Sequence, residues 1–128
     1  MRVLLDTCTF LWIVAGSEQL SKRSRKLFSD PNNEVFFSSV SAWEITVKQS
    51  LGRLPLPEPA ARFIPKYRSL HGILPLALDE EAVLQLPLLP EHHKDPFDRM
   101  LICQAIAHGL TLLTPDTEIT QYPVKTMW

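Results

Sequence analysis

Apolar and polar positions follow one another in short blocks along the chain, and the blocks predict strands and helices by turns. Arg2-Val3-Leu4-Leu5 is an apolar run closed by Asp6, the pattern of a buried first strand. Over residues 7–14, Phe10, Leu11 and Val14 recur at helical spacing until Gly16-Ser17 ends the run. Ser21 can cap a helix reaching about residue 28, with Leu20, Leu27 and Phe28 on the apolar side and Lys22, Arg23, Arg25 and Lys26 outside. The turn Asp30-Pro31-Asn32-Asn33 leads into a second strand, Glu34-Val35-Phe36-Phe37-Ser38.

Ser41 followed by Glu44 matches a capping box, and behind it Val40, Trp43, Val47 and Leu51 share one helical face until Gly52. Residues 58–70 read as a helix that Pro65 should kink or split. Ile73-Leu74-Pro75-Leu76 is a third strand, placed at or near an edge by its proline. Asp79-Glu80-Glu81 opens a helix that ends before Pro87. The loop of residues 92–95 feeds a helix over residues 96–108. Asp95 is its cap, Pro96 its first residue, Asp98 its third, and Gly109 its stop. Residues 110–114 form a fourth strand, Pro115-Asp116 follows, and the tail 122–127 adds a last short strand.

Strands alternating with helices predict an α/β fold of three layers, with a central, mainly parallel sheet of four to five strands. In such a sheet every strand's C-terminus and every intervening helix's N-terminus lie along one edge, where open α/β sheets bind ligands. Asp6 follows the first strand, Glu44 falls in the first turn of the next long helix, Asp98 in the first turn of the helix before the fourth strand, and Asp116 just after that strand. Four carboxylates on one edge is the central expectation.

Composition narrows what such an edge can do. A length of 128 residues fits a single domain spanning residues 1–128, and no apolar run is long enough to span a membrane. Arg2 runs straight into a strand, so no signal peptide is expected and the cytoplasm is the expected compartment. A net charge of −1 gives no global pull on nucleic acid, which leaves local patches to make any such contact. Two cysteines, Cys8 and Cys103, are too few for a disulfide scaffold and read as buried thiols.

Four clustered carboxylates cannot all stay ionised without protons or a cation among them. Hard oxygen ligands, without cysteine or a histidine pair, favour Mg²⁺ or Mn²⁺ over zinc. Such ions lower the pKa of bound water and steady charge on a scissile phosphate, so phosphodiester hydrolysis is the natural reaction class.

Four stretches carry a resemblance: Leu4-Leu5-Asp6-Thr7; Ser41-Ala42-Trp43-Glu44-Ile45 with Lys48 and Leu51-Gly52-Arg53-Leu54; His92-His93-Lys94-Asp95-Pro96-Phe97-Asp98-Arg99 with Leu101-Ile102 and Gln104-Ala105; and Leu113-Thr114-Pro115-Asp116. In this order, over nearly the whole chain, they resemble the PIN domain, and more narrowly the VapC-type toxins of bacterial and archaeal toxin–antitoxin pairs. The resemblance implies a metal-dependent ribonuclease whose acidic quartet is Asp6, Glu44, Asp98 and Asp116. Asp6 and Asp98 would be the usual metal ligands, Glu44 and Asp116 would complete the site, and Thr114 would orient water or a carboxylate. It further implies a homodimer, neutralised by a small cognate antitoxin. Many relatives place Asp or Asn two residues after the last aspartate; here that residue is Glu118, which is not counted with the site.

Plainer roles compete for several of these residues. Asp95 is favoured as a cap over a ligand, and adjacent His92 and His93 make a poor metal pair. Arg99 fits either an ion pair with a nearby carboxylate or a phosphate clamp, and Lys48 or Arg53 could also meet phosphate. Trp12, Trp43 and Phe97 are favoured as core or interface over base-stacking platforms. The rival function is a catalytically silent PIN module that binds RNA or a protein partner. An aspartyl-phosphate enzyme using Asp6 would want a second carboxylate at Cys8 and lacks it.

Overall fold

The computed structural model describes residues 1–92 and 95–128. Five strands, β1 (Arg2–Leu5), β2 (Glu34–Ser38), β3 (Leu74–Leu76), β4 (Thr111–Leu113) and β5 (Thr126–Met127), form one sheet in the order β3-β2-β1-β4-β5. Every neighbouring pair is parallel. The central strand β1 pairs with both β2 and β4, and its apolar residues Val3, Leu4 and Leu5 are buried on both faces, while Arg2 at its start is exposed.

The pleat sends alternate side chains to opposite layers. Val3 and Leu5 pack with Phe10, Ile13, Phe37, Phe63 and Ile64, so α1 (Thr7–Ala15) and α4 (Ala60–Leu70) cover that face. Leu4 and Leu112 turn the other way, onto Leu101, Ile102 and Ala105 of α6 (Pro96–His108) and Ile119 of α7 (Thr117–Thr120). The helix α2 (Lys22–Ser29) lays Leu27 and Phe28 against the first layer. Between the layers, α3 (Ser39–Ser50) gives Ile45 to one cluster and Val40 to the other. The short α5 (Glu80–Val83) and a 3₁₀ turn at Leu86–Leu88 lead towards α6.

Several local expectations change. The helix α3 begins at Ser39, with Ser38 as its cap, not at the Ser41 capping box. Ser38 Oγ accepts from Val40 N at 3.0 Å, so β2 runs into the helix without a loop, and Glu44 sits a turn deeper than its sequence placement. The face of α3 turned inward is Val40, Ser41, Glu44 and Ile45; Trp43 and Leu51 are exposed. Pro65 does not split α4, which runs unbroken from a proline cap at Pro59. Cys103 is buried, but Cys8 is exposed.

Candidate active site

The carboxyl edge of the sheet opens into a cavity of about 310 Å³ lined by Asp6, Glu44, Asp98 and Asp116. The four predicted carboxylates therefore meet, and Asp95 joins them. Local structure aims them. Asp6, Asp95 and Asp116 are the N-caps of α1, α6 and α7, and Asp98 lies in the first turn of α6. Three helix N-termini thus point their partial positive charge at the same carboxylates.

Asp6 is held on both oxygens. Its Oδ1 accepts from Thr9 N at 2.7 Å and its Oδ2 accepts from the Thr114 hydroxyl at 2.5 Å. Thr114 Oγ1 in turn accepts from Asp116 N at 3.1 Å, which links the β4 end to both aspartates. Thr9 donates its hydroxyl to Leu113 O at 3.1 Å, tying the start of α1 to the same strand. Burial raises the Asp6 carboxyl above its ordinary value. The hydrogen bonds from Thr114 and Thr9 offset part of that, and the charge of Asp116 adds to it.

Glu44 is held differently. Its Oε1 accepts from the Thr7 hydroxyl at 2.6 Å, and its Oε2 is paired with Lys48, one turn further along α3. The single Thr7 proton is spent on the carboxylate, so Ser41 donates across the 2.9 Å contact between the two hydroxyls. The bond to Glu44 raises the Lys48 ammonium above its usual value. Thr7, Ser41 and Lys48 are supporting residues that the sequence reading did not assign to the site; the i, i+4 spacing of Glu44 and Lys48 was the available signal.

Cys8 also lines the cavity, and although the residue is exposed, the partial desolvation of its thiol, and then Asp6, Glu44 and Asp98 against the opposing charge of Lys48, push it up to about 11. It stays protonated at neutral pH, a weak ligand and a weak nucleophile. Trp12 lines the cavity too, so it is not only a core residue.

Arg99 faces elsewhere. It donates to Pro90 O at 3.1 Å and to the Tyr122 hydroxyl at 3.2 Å, and borders a separate, more apolar cavity of about 540 Å³ with Trp43, Leu86 and Met100. Glu118 is exposed and outside the acidic cavity, although its N–H donates to Asp116 Oδ1 at 2.9 Å. His92 packs its ring 5.0 Å from Tyr122, while His93 and Lys94 lie outside the described residues.

Among the described residues that line this cavity there are five carboxylates and one ammonium, Lys48, which is paired with Glu44. Such an all-oxygen donor set with excess negative charge fits a hard divalent cation, and one or two carboxylates with several waters suffice for Mg²⁺. Among the described residues, the trio with ligand atoms within 4.8 Å of one another is a different one, Asp79, Glu81 and His108. There His108 Nε2 stands 2.7 Å from Asp79 Oδ2, which brings the last residue of α6 against the cap of α5.

A family model described as the PIN domain matches residues 3–125. The chain belongs to the PIN domain family. Within it, the chain is 39% identical over 56 residues to Ribonuclease VapC16 of Mycobacterium tuberculosis, a match covering 44% of this chain and 40% of that protein. The aligned part is thus less than half of that relative's length. Solved PIN neighbours extend further. VapBC2 of Rickettsia felis, bound to a promoter DNA fragment, superposes with a TM-score of 0.76 at 16% identity, over 100% of this chain and 99% of that one. DNA-bound VapBC of Salmonella typhimurium gives 0.69 at 16% identity, over 99% and 97%. At such identities these neighbours establish the PIN fold.

Proposed function

We propose that this chain, as a single domain over residues 1–128, is a metal-dependent endoribonuclease and the toxin of a type II toxin–antitoxin pair. The observation that carries the reading is the convergence of Asp6, Glu44, Asp98 and Asp116, from four separate stretches of chain, in one cavity at the sheet's carboxyl edge. Membership of the PIN family, the likeness to a ribonuclease VapC and the VapBC neighbours support the toxin assignment. The cognate partner is then a small antitoxin, the family resemblance adds a homodimer, and the expected compartment, read from the sequence, is the cytoplasm. No helix among the described residues is long and apolar enough to cross a membrane.

Asp6 and Asp98 would hold Mg²⁺ or Mn²⁺, with Glu44 and Asp116 completing the set. The chemistry supplied by such an ion, when bound, is charge neutralisation at the scissile phosphate and a lowered pKa for bound water. Thr114 fixes the Asp6 carboxylate through Oδ2 and leaves its remaining lone pairs to face the cavity. Lys48 and Thr7 hold Glu44 in one rotamer, so its carboxylate can orient a water without searching for a position. Asp95 acts through structure: it accepts from Phe97 N at 2.9 Å and Asp98 N at 3.0 Å, and so sets the turn that carries Asp98.

The deciding experiment is Asp98→Asn, assayed for RNA cleavage in Mg²⁺ or Mn²⁺ and for growth arrest on expression. The expected result is a folded protein without either activity. Undiminished cleavage by the folded variant removes Asp98 from the mechanism.

A further inference from the structure

Trp12 sits where a nuclease reading alone gives it no work. It lies four residues after Cys8 on α1, so the two share the helix face that walls the acidic cavity. Pro115, from the turn between β4 and α7, lines the same cavity. The indole is only partly buried, and it is braced by the ring of Trp128 at a centroid distance of 5.8 Å and an angle of 63°. Bracing of this kind holds an aromatic surface in place at little entropic cost.

Ionic attraction in this cavity depends on a bound cation, so a second, non-ionic source of affinity would add to it. Among the described residues the cavity carries five carboxylates and a lysine already paired with Glu44, and the chain's net charge of −1 adds no general pull on a phosphodiester. An indole and a proline among those carboxylates can supply attraction of another kind, because every base has a π-face to stack. A base reaches such a wall only when it is unpaired and unstacked. A cavity of about 310 Å³ is at the small end of ligand pockets, which suits one nucleotide.

We propose that Trp12, with Pro115, forms a nucleobase subsite beside the carboxylates, so that the protein takes single-stranded RNA with one base stacked on the indole. The inference rests on the nuclease reading for the identity of the ligand. The test is kept separate from cleavage by measuring binding of the full chain, in Mn²⁺, on an Asp98→Asn background.

Fluorescence anisotropy of a short labelled single-stranded RNA gives Kd for Asp98→Asn alone and with Trp12→Leu or Trp12→Phe added. Removing the indole should weaken binding roughly tenfold, and phenylalanine should recover most of it. An abasic site at the stacked position should cost the Asp98→Asn protein a similar factor and cost the added Trp12→Leu protein nothing more. Thermal melts report whether each variant is folded. If Trp12→Leu does not fold, Trp12→Phe and the abasic scan on Asp98→Asn decide. An unchanged Kd in a folded Trp12→Leu variant, an abasic scan with no costly position, or equally tight binding of the same sequence as a duplex overturns the subsite. Failure of the wild-type protein to cleave any RNA would instead defeat the nuclease reading, and leaves the dependence of Kd on Trp12 to be read on its own.

Discussion

Asp6 and Glu44 enter one cavity with the same exposure, 6% each, but the two sides of the cavity hold them by opposite means. On the β1–β4 side, Asp6 accepts from neutral donors among the described residues, a backbone amide and a hydroxyl, and the charge that acts on it is that of another carboxylate, Asp116. On the α3 side, Glu44 has a hydroxyl and an ammonium. One carboxylate is left wanting a cation and the other has one built in. On the proposed reading the difference would give them separate work: Asp6 would draw the metal in, and Glu44 would be a wall that needs no metal to stay ordered.

Activity gives the largest test of that contrast. Asp6→Asn keeps the cap, since asparagine still accepts from Thr9 N, and removes the charge, while the Thr114 hydroxyl must turn from donating to Oδ2 to accepting from the amide. Cleavage should fall about 10³-fold or more, as for a charged group acting in a unit with others. Glu44→Gln should cost less, and a larger loss for Glu44→Gln than for Asp6→Asn would reverse the assignment.

Metal binding is the next largest effect. At a free Mn²⁺ concentration of about 100 Kd the wild-type protein should gain roughly 2.7 kcal/mol, read as a rise in Tm. Asp6→Asn should lose nearly all of that gain and Glu44→Gln only part. Protons compete with the ion for Asp6, whose carboxyl burial has raised, so the Mn²⁺-induced rise should shrink on acidification. A rise of equal size in wild type and Asp6→Asn breaks the comparison. No rise in either favours the silent module.

Without metal the two substitutions should move stability in opposite directions. The folded pKa of Asp6 is raised, so its contribution is fully present below the unfolded value and is lost as pH rises through the folded one. The charge is therefore a burden at neutral pH, and Asp6→Asn should melt a few degrees higher there, with the gap closing in acid. Glu44→Gln should melt slightly lower, by about 0.5 kcal/mol, because its partner Lys48 is 45% exposed and solvent screens the pair. Melts in chelator across pH check both signs.

The contrast also marks how far sequence reasoning reached. Asp6, Asp98 and Asp116 were placed by local rules, since each ends a strand or opens a helix, and those rules fix which edge a residue occupies. Glu44 was put on the right edge for a partly wrong reason. Ser38 and Ser41 both look like caps, and Ser38 prevails because β2 leads into the helix without a loop. That shift frees Glu44 from reaching back to its own helix start and lets it meet Thr7. The wall formed by Cys8 and Trp12, and the turn of Arg99 towards Tyr122, depend on how helices lie against the sheet and one another. No local pattern encodes those angles.

Lys48 offers the smallest and most pointed test. Lys48 is 45% exposed, so solvent screens its pair with the buried Glu44, and Lys48→Ala should lower the melting temperature of the metal-free protein only modestly. Its effect on metal should be of the other sign. Removing the ammonium leaves the Glu44 carboxylate without its counter-charge, and the affinity for Mn²⁺ should rise a few-fold, roughly what a screened unit charge is worth. If Lys48 instead belongs to the metal-bound state, holding Glu44 where a water must sit, the same substitution will lower kcat while tightening the ion. Measuring Mn²⁺ affinity and kcat on one preparation separates these outcomes, and weaker Mn²⁺ binding by Lys48→Ala would show that Glu44 is not a counter-charged wall at all.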